Sequence, residues 1–146
     1  DLLGRKVLKD QGAAMRSYIA EILQTAETLK SNSEFKKIAE MLEEAATNLE
    51  KTTNFVIENS KLGQNFVGGV AFNFLMMMGY VSGSWYMARS AERALVFAHD
   101  GDNEFIKRKL ASVRFYFAQL LPRYKGYMDA VINGVDIGFS MNESNF

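Results

Sequence analysis

LGQNFVGGVAFNFLMMMGYVSGSWYMA, residues 62–88, contains no charged side chain and decides how the rest of the chain folds. The stretch is longer than the roughly 20 predominantly apolar residues that a bilayer core requires. Against a membrane span, no basic cluster flanks one end, and polar side chains recur along it: Gln64, Asn65, Asn73, Ser82 and Ser84. We therefore expect the central helix of a soluble bundle, packed on nearly all sides, rather than a membrane span.

The composition is that of a single globular domain. The chain has 146 residues, and its 17 Lys and Arg balance its 17 Asp and Glu, so net charge favours neither nucleic acid nor an anionic surface. Cysteine is absent, which excludes disulfides and thiolate metal sites and favours the cytoplasm. We expect residues 1–146 to form one helical domain with a loose tail at 140–146. Because the sequence begins at Asp1 rather than at methionine, we expect it to be an excised piece or a processed chain, and part of something larger.

Hydrophobic spacing predicts two amphipathic helices in the first 60 residues. The first begins near Asp10 or Gln11 and ends near Lys30, with an apolar face: Met15, Tyr18, Ile19, Ile22 and Leu23. Ser31 and Glu34 have the spacing of a capping box, in which each side chain bonds to the other residue's backbone N–H. The helix that follows carries a seam at three- and four-residue spacing: Phe35, Ile38, Leu42, Ala45, Leu49, Thr52, Val56 and Asn59.

Two further helices complete the predicted bundle. Gly63 precedes a third helix at 67–99, where a neighbouring backbone has room to approach three small residues: Gly79, Gly83 and Ala88. The fourth helix has one apolar stripe: Ile106, Leu110, Val113, Phe117 and Leu120. Pro122 ends or kinks that helix, and a shorter segment follows towards Gly134. These elements predict an all-α, up-and-down four-helix bundle with long helices and a short C-terminal helical extension, its core containing Trp85 and Phe117.

The predicted helices contain no recognisable catalytic or metal-binding cluster. His99 is the only histidine and Val96 stands three residues before it, so the Glu-x-x-His motif of a di-iron bundle is missing. No glycine is followed by the Lys-Ser/Thr of a phosphate-binding loop, and residues 82–84 lie inside a helix rather than on a nucleophile turn. We interpret residues 76–78 as core filling and the basic run at 107–109 as a solvated face. We therefore predict no catalytic, cofactor-binding or metal-binding residue.

Several motifs resemble one family. KLASVRFYFAQLLP at 109–122 resembles the Lys-Leu-Ala…Arg-Phe…Leu-Pro motif of the extra C-terminal domain in a bacterial branch of the acyl-CoA dehydrogenases. The preceding helix of that domain is similar to the pattern Gly79-Tyr80, Trp85 and Ala88. DLLGRK at 1–6 resembles the junction that opens the domain, and QGAAM at 11–15 resembles its first helix. The resemblance covers nearly the whole chain.

The resemblance implies a role in a flavoenzyme. In these enzymes FAD accepts a hydride from an acyl-CoA thioester while a glutamate, in an Ile-Tyr-Glu-Gly-Thr type segment, removes a proton. That segment is not found in this sequence, so the resemblance implies a non-catalytic structural or docking domain, excised from the C-terminus of a larger flavoenzyme, an acyl-CoA dehydrogenase. Its partners would be the catalytic domains of the same parent chain, in a homo-oligomer without nucleic acid. The alternative is a freestanding helical protein-interaction module.

A docking domain exposes an apolar patch that its parent covers. Four aromatic residues exceed what a single seam between helices needs, and we predict that they form this docking surface: Tyr18, Phe66, Phe72 and Tyr80.

Overall fold

The computed structural model describes residues 7–97 and 103–134. The expectations that concern residues 1–6, 98–102 and 135–146, including those for His99 and for the tail at 140–146, lie outside the described residues.

Helices make up nearly all of the described chain, and no strand occurs within it. The α-helices are α1 (Ala13–Lys30), α2 (Lys36–Asn59), α3 (Gln64–Phe97), α4 (Glu104–Phe115) and α5 (Tyr124–Ile132). A 3₁₀ turn (Ser60–Leu62) joins α2 to α3, while a π-helical segment (Tyr116–Leu120) and a 3₁₀ turn (Leu121–Arg123) join α4 to α5. From α4 through the π-helical segment and the 3₁₀ turn to α5, the chain is helical without a loop. We call this continuous segment the α4–α5 rod. The predicted all-α bundle is therefore confirmed.

The bundle core lies where α1, α2, α3 and the α4–α5 rod meet. α1 packs on α2, α2 packs on α3, and α3 contacts both α4 and α5. The short connections from α1 to α2 and from α2 to α3 make these three helices alternate in direction. The seam predicted for α2 is buried as far as Val56, and large apolar side chains of the other elements are buried in the same core: Ile19, Ile22, Phe74, Met77, Val113, Phe117 and Val131.

The start of α1 is fixed by a carboxylate and a glycine. The Asp10 carboxylate accepts hydrogen bonds from the backbone N–H groups of Gly12 (3.0 Å) and Ala14 (2.9 Å), which lowers the pKa of Asp10, the bond from Ala14 contributing most. Gly12 has φ 81°, and a Cβ there would lie 2.8 Å from Ile57 Cδ1. Helix α1 therefore begins at Ala13, slightly later than the sequence predicts.

The predicted capping box before α2 is wrong. The Ser31 hydroxyl donates to the Thr28 carbonyl and so finishes α1, while the Glu34 backbone N–H donates to Asn32 Oδ1 at 2.9 Å. The Glu34 carboxylate instead forms an ion pair with Arg114. The Asn32 side chain accepts the kind of local backbone hydrogen bond that the Ser31 hydroxyl was expected to accept. The ion pair with Arg114 holds the Glu34 carboxylate away from the start of α2.

Helix α3 is less enclosed than the sequence predicts. By length and composition alone, its span Asn65–Phe97 is long and apolar enough to cross a membrane, and only 28% of the most apolar window of that span is buried. Of the three consecutive methionines only Met77 is fully buried, because consecutive helical positions face different directions. The expectation of packing on nearly all sides is wrong, since the neighbouring helices cover only one side of α3.

The small residues of α3 have different surroundings. A Cβ added at Gly79 would meet nothing within 4 Å, so the predicted close approach is wrong there. At Gly83 the neighbour is a side chain: a Cβ would lie 2.2 Å from the Tyr116 hydroxyl oxygen and 2.8 Å from Cζ. Gly83 therefore makes room for the tyrosine ring. Ala88 is buried in the core.

The π-helical segment places that ring. Tyr116 is the first residue after α4, and its hydroxyl donates to the Tyr80 carbonyl oxygen at 2.6 Å. Burial, together with a smaller contribution from Tyr80, raises the pKa of Tyr116 to about 12. The hydroxyl thus remains a neutral donor at physiological pH. Pro122 lies in the 3₁₀ turn that follows, where the sequence predicts the end of the fourth helix.

Candidate functional site

One face of α3 is apolar and exposed to solvent. Its members are three, four or seven residues apart, which places them on one side of the helix: Gly68, Phe72, Leu75, Gly79 and Tyr86. We call this set the α3 stripe. Phe72 is 64% exposed, Leu75 51% and Tyr86 62%, and no charged residue interrupts the sequence between Lys61 and Arg89. A contiguous exposed apolar face of this kind marks an interaction surface.

The structure separates the four residues predicted for docking. Phe72 is exposed, whereas Tyr18 and Tyr80 are half-buried. Phe66 is fully buried, and its ring lies 6.4 Å from that of Phe55 on α2. Its assignment to an exposed patch is wrong, because Phe66 lies on the side of α3 that faces α2.

Phe72 and Tyr80 meet at a third aromatic residue. The ring of Tyr127 on α5 lies 6.5 Å from the Phe72 ring, edge to face, and 5.9 Å from the Tyr80 ring, nearly stacked. Such aromatic pairs stabilise a fold by more than their buried apolar area alone would. Tyr127 therefore anchors the border of the α3 stripe, and the exposed Phe72 ring is held at one edge.

Tyr18 belongs to the contact between α1 and α3 instead. Its hydroxyl donates to Ser82 Oγ at 2.7 Å, and its ring meets the Trp85 ring edge-on at 5.3 Å. The Trp85 indole N–H donates to Thr25 Oγ1 at 3.0 Å, and the Arg89 guanidinium lies 4.9 Å above the indole. Trp85 is half-buried, so its predicted place in the core is wrong, whereas Phe117 is buried as predicted. The indole N–H has a polar partner near the surface, which keeps the ring there.

A second exposed apolar feature lies between the end of α3 and the start of α4. This α3–α4 groove has a volume of about 390 Å³ and is lined by nine residues: Tyr86, Ser90, Arg93, Ala94, Phe97, Asn103, Phe105, Ile106 and Lys109. Phe97 is 56% exposed and Phe105 69%. Sequence reasoning missed these rings, although Tyr86, Ser90, Arg93 and Phe97 continue the spacing of the α3 stripe.

The cap of α4 positions one wall of the groove. The Asn103 side chain accepts a hydrogen bond from the backbone N–H of Phe105 at 3.0 Å and so begins the helix. Phe105 and Lys109, four residues apart, then lie on one face of α4. The Lys109 ammonium lies 5.6 Å from the centre of the Tyr86 ring on α3. A cation and aromatic rings from two helices therefore share the groove.

Within residues 7–97 and 103–134, no group of three or more His, Asp and Glu side chains is placed to hold a metal ion. The basic run at 107–109 is divided between two surroundings. Lys107 and Arg108 are exposed, as expected for a solvated face, while Lys109 lines the groove.

Comparison with known proteins identifies the family of this chain. Residues 15–141 match the family described as "Acetyl-CoA dehydrogenase C-terminal like". The chain is 31% identical over 123 residues to the 3-methylmercaptopropionyl-CoA dehydrogenase of Ruegeria pomeroyi, a match that covers 83% of this chain and 21% of that protein. The chain thus spans about a fifth of the length of this relative. The resemblance inferred from the motifs is confirmed, and the chain belongs to the family of acetyl-CoA dehydrogenase C-terminal-like domains.

Proposed function

We propose that this chain is the C-terminal docking domain of a cytoplasmic enzyme that oxidises an acyl-CoA thioester with FAD, and that the domain itself is non-catalytic. Family membership and the dehydrogenase relative support the enzyme class. We assign no flavin to this chain, since the resemblance places the flavin pocket mostly in preceding domains. The flavin and the catalytic base belong, in this proposal, to the preceding domains of the parent.

The α3 stripe is the observation that carries the docking role. Burial of Phe72 and Leu75 against a partner removes apolar area from water without leaving a charge unpaired. We propose that the partner is the catalytic part of the same parent chain. A relative that is about five times the length of the matched segment supports this choice, since a covalently linked surface binds at high effective concentration.

The parent would be a homo-oligomer in this proposal, as the resemblance implies. The same stripe gives the isolated chain a tendency to self-associate, because an uncovered apolar helix face is available to a second copy. The parent, with the stripe covered by its own catalytic domains, would not use this face for that purpose.

Flavin content and turnover test the enzymatic part. The isolated chain and the full-length parent are each mixed with FAD, several acyl-CoA esters and an artificial electron acceptor. We expect bound flavin and turnover for the parent alone. Turnover by the isolated chain would reveal an active site within it, and a parent that binds no flavin would favour a freestanding helical interaction module.

A matched pair of variants of the parent tests the docking part. Phe72→Glu places a charge in the α3 stripe, and Lys51→Glu changes the charge of an exposed residue on α2. We expect Phe72→Glu to increase the protease sensitivity of the segment that joins the domain to the catalytic part, while Lys51→Glu leaves it unchanged. Equal protease sensitivity in both variants would contradict docking through the stripe.

A further inference from the structure

The α3–α4 groove combines apolar side chains with aromatic rings that are exposed to solvent. Tyr86 and Phe97 come from α3 and Phe105 from α4, and each is more than half exposed. Ala94 and Ile106 also line the groove. A volume of about 390 Å³ lies within the range of sites that bury small organic ligands.

The two charged residues in the described lining of the groove, Arg93 and Lys109, are both basic. Among residues 7–97 and 103–134, neither Arg93 nor Lys109 has a carboxylate within ion-pair distance. Four other basic residues of the domain do pair with glutamates: Lys30, Lys107, Arg114 and Lys125. The groove lining, among residues 7–97 and 103–134, contains no acidic side chain. Its charge therefore complements an anion, and its walls complement an apolar body.

We propose that the α3–α4 groove binds a soluble anionic amphiphile, with one apolar chain and a carboxylate or phosphate head group. The chain lies against Phe97, Phe105 and Ile106, and the head group accepts hydrogen bonds from the Arg93 guanidinium and the Lys109 ammonium. Ser90 adds a hydroxyl at the same wall. The groove shares Tyr86 with the α3 stripe, but its other lining residues lie outside the stripe, and ligand binding by the 146-residue chain does not depend on the docking role.

Titration of the 146-residue chain with four ligands of equal chain length tests the proposal. Dodecanoate and dodecyl phosphate carry the expected head groups, dodecanol is neutral, and dodecyltrimethylammonium is cationic. Each is added below its micelle concentration, and binding is followed by calorimetry. We expect the anions to bind about tenfold more tightly than dodecanol, and the cation to bind least. Equal affinity for the anion and the cation would overturn the proposal.

Variants locate the site. Arg93→Gln/Lys109→Gln is expected to weaken dodecanoate binding about tenfold and to leave dodecanol binding unchanged. Phe105→Ser, at an exposed position, weakens the binding of all four ligands. Arg108→Gln, on the same helix but outside the groove lining, leaves the binding of all four ligands unchanged. Circular dichroism establishes that each variant is folded. Equal losses in Arg108→Gln and the double variant would contradict binding in the groove.

Two further experiments separate the nearest alternatives. Asp100 and Asp102 follow α3 in the sequence. The double variant Asp100→Asn/Asp102→Asn therefore tests whether these two carboxylates, rather than a ligand, pair with Arg93 and Lys109. Dodecanoate binding seen only in that variant would overturn the proposal. Sedimentation with phosphatidylglycerol vesicles tests a membrane surface as the source of the head group. Vesicle binding that requires Arg93 and Lys109, without binding of dissolved dodecanoate, would also overturn it.

Discussion

Two glycines one helical turn apart on α3 are expected to respond in opposite directions to the same substitution. In an exposed helix, replacing glycine with alanine stabilises by about 0.5–1 kcal/mol, because the unfolded chain loses conformational freedom. A Cβ at Gly79 meets nothing within 4 Å, so Gly79→Ala should raise the free energy of unfolding by that amount.

Gly83→Ala should instead destabilise the domain. The new Cβ would lie 2.2 Å from the Tyr116 hydroxyl oxygen, so the ring must move. That movement breaks the 2.6 Å bond to the Tyr80 carbonyl, which costs about 1 kcal/mol, and overpacking adds about 1–3 kcal/mol. After the gain in helix propensity, a net loss of about 1–3 kcal/mol remains.

Thermal unfolding followed by circular dichroism measures both variants. For a chain of this size, 1 kcal/mol corresponds to about 4 °C in Tm. Gly79→Ala is therefore expected to raise Tm by a few degrees and Gly83→Ala to lower it by several. In a Tyr116→Phe background the loss caused by Gly83→Ala should shrink, because the closest atom has been removed. Equal stabilisation by both alanines would refute the reasoning that Tyr116 occupies the space at Gly83.

Three further predictions concern stability and association. The pKa of Tyr116 is raised to about 12 from an ordinary value of 10.0, so the stability that its neutral hydroxyl contributes is present below pH 10 and is lost as pH rises towards 12. The urea midpoint of unfolding should therefore fall across that pH window, and should fall less in Tyr116→Phe. Phe117→Ala should cost about 3–5 kcal/mol in urea unfolding, half-buried Trp85→Ala should cost less, and exposed Lys107→Ala should stay within about 0.5 kcal/mol. Phe72→Ser should reduce self-association of the isolated chain in sedimentation velocity, and an unchanged sedimentation profile would contradict the role of the stripe.

Much of the bundle could be predicted because its helices are amphipathic. The α2 seam from Phe35 to Val56 repeats at three and four residues, and polar residues occupy the other positions, so the pattern identifies the buried face. The interruption at Pro122 follows from the missing N–H of proline. Local rules were sufficient wherever one face of a helix differs from the other.

The exposed surface of α3 could not be predicted for the opposite reason. Residues 62–88 carry no charge on any side, so nothing in the sequence distinguishes buried Phe66 from exposed Phe72. The orientation of that helix is set by tertiary contacts, such as the packing of Phe66 on Phe55. The capping box failed similarly, because Arg114, distant in sequence, binds the Glu34 carboxylate.

Side-chain accessibility in the full-length parent tests the docking role most directly. Hydroxyl-radical footprinting, read by mass spectrometry, compares the oxidation of Phe72, Leu75 and Tyr86 in the isolated chain and in the parent enzyme. We predict that Phe72 and Leu75, both more than half exposed, react readily in the isolated chain when it is dilute enough to be monomeric, and that they are protected in the parent. Exposed Phe115, on the α4–α5 rod outside the stripe, serves as the internal reference. Equal oxidation of Phe72 and Leu75 in the two proteins, after scaling to that reference, would contradict docking through the α3 stripe.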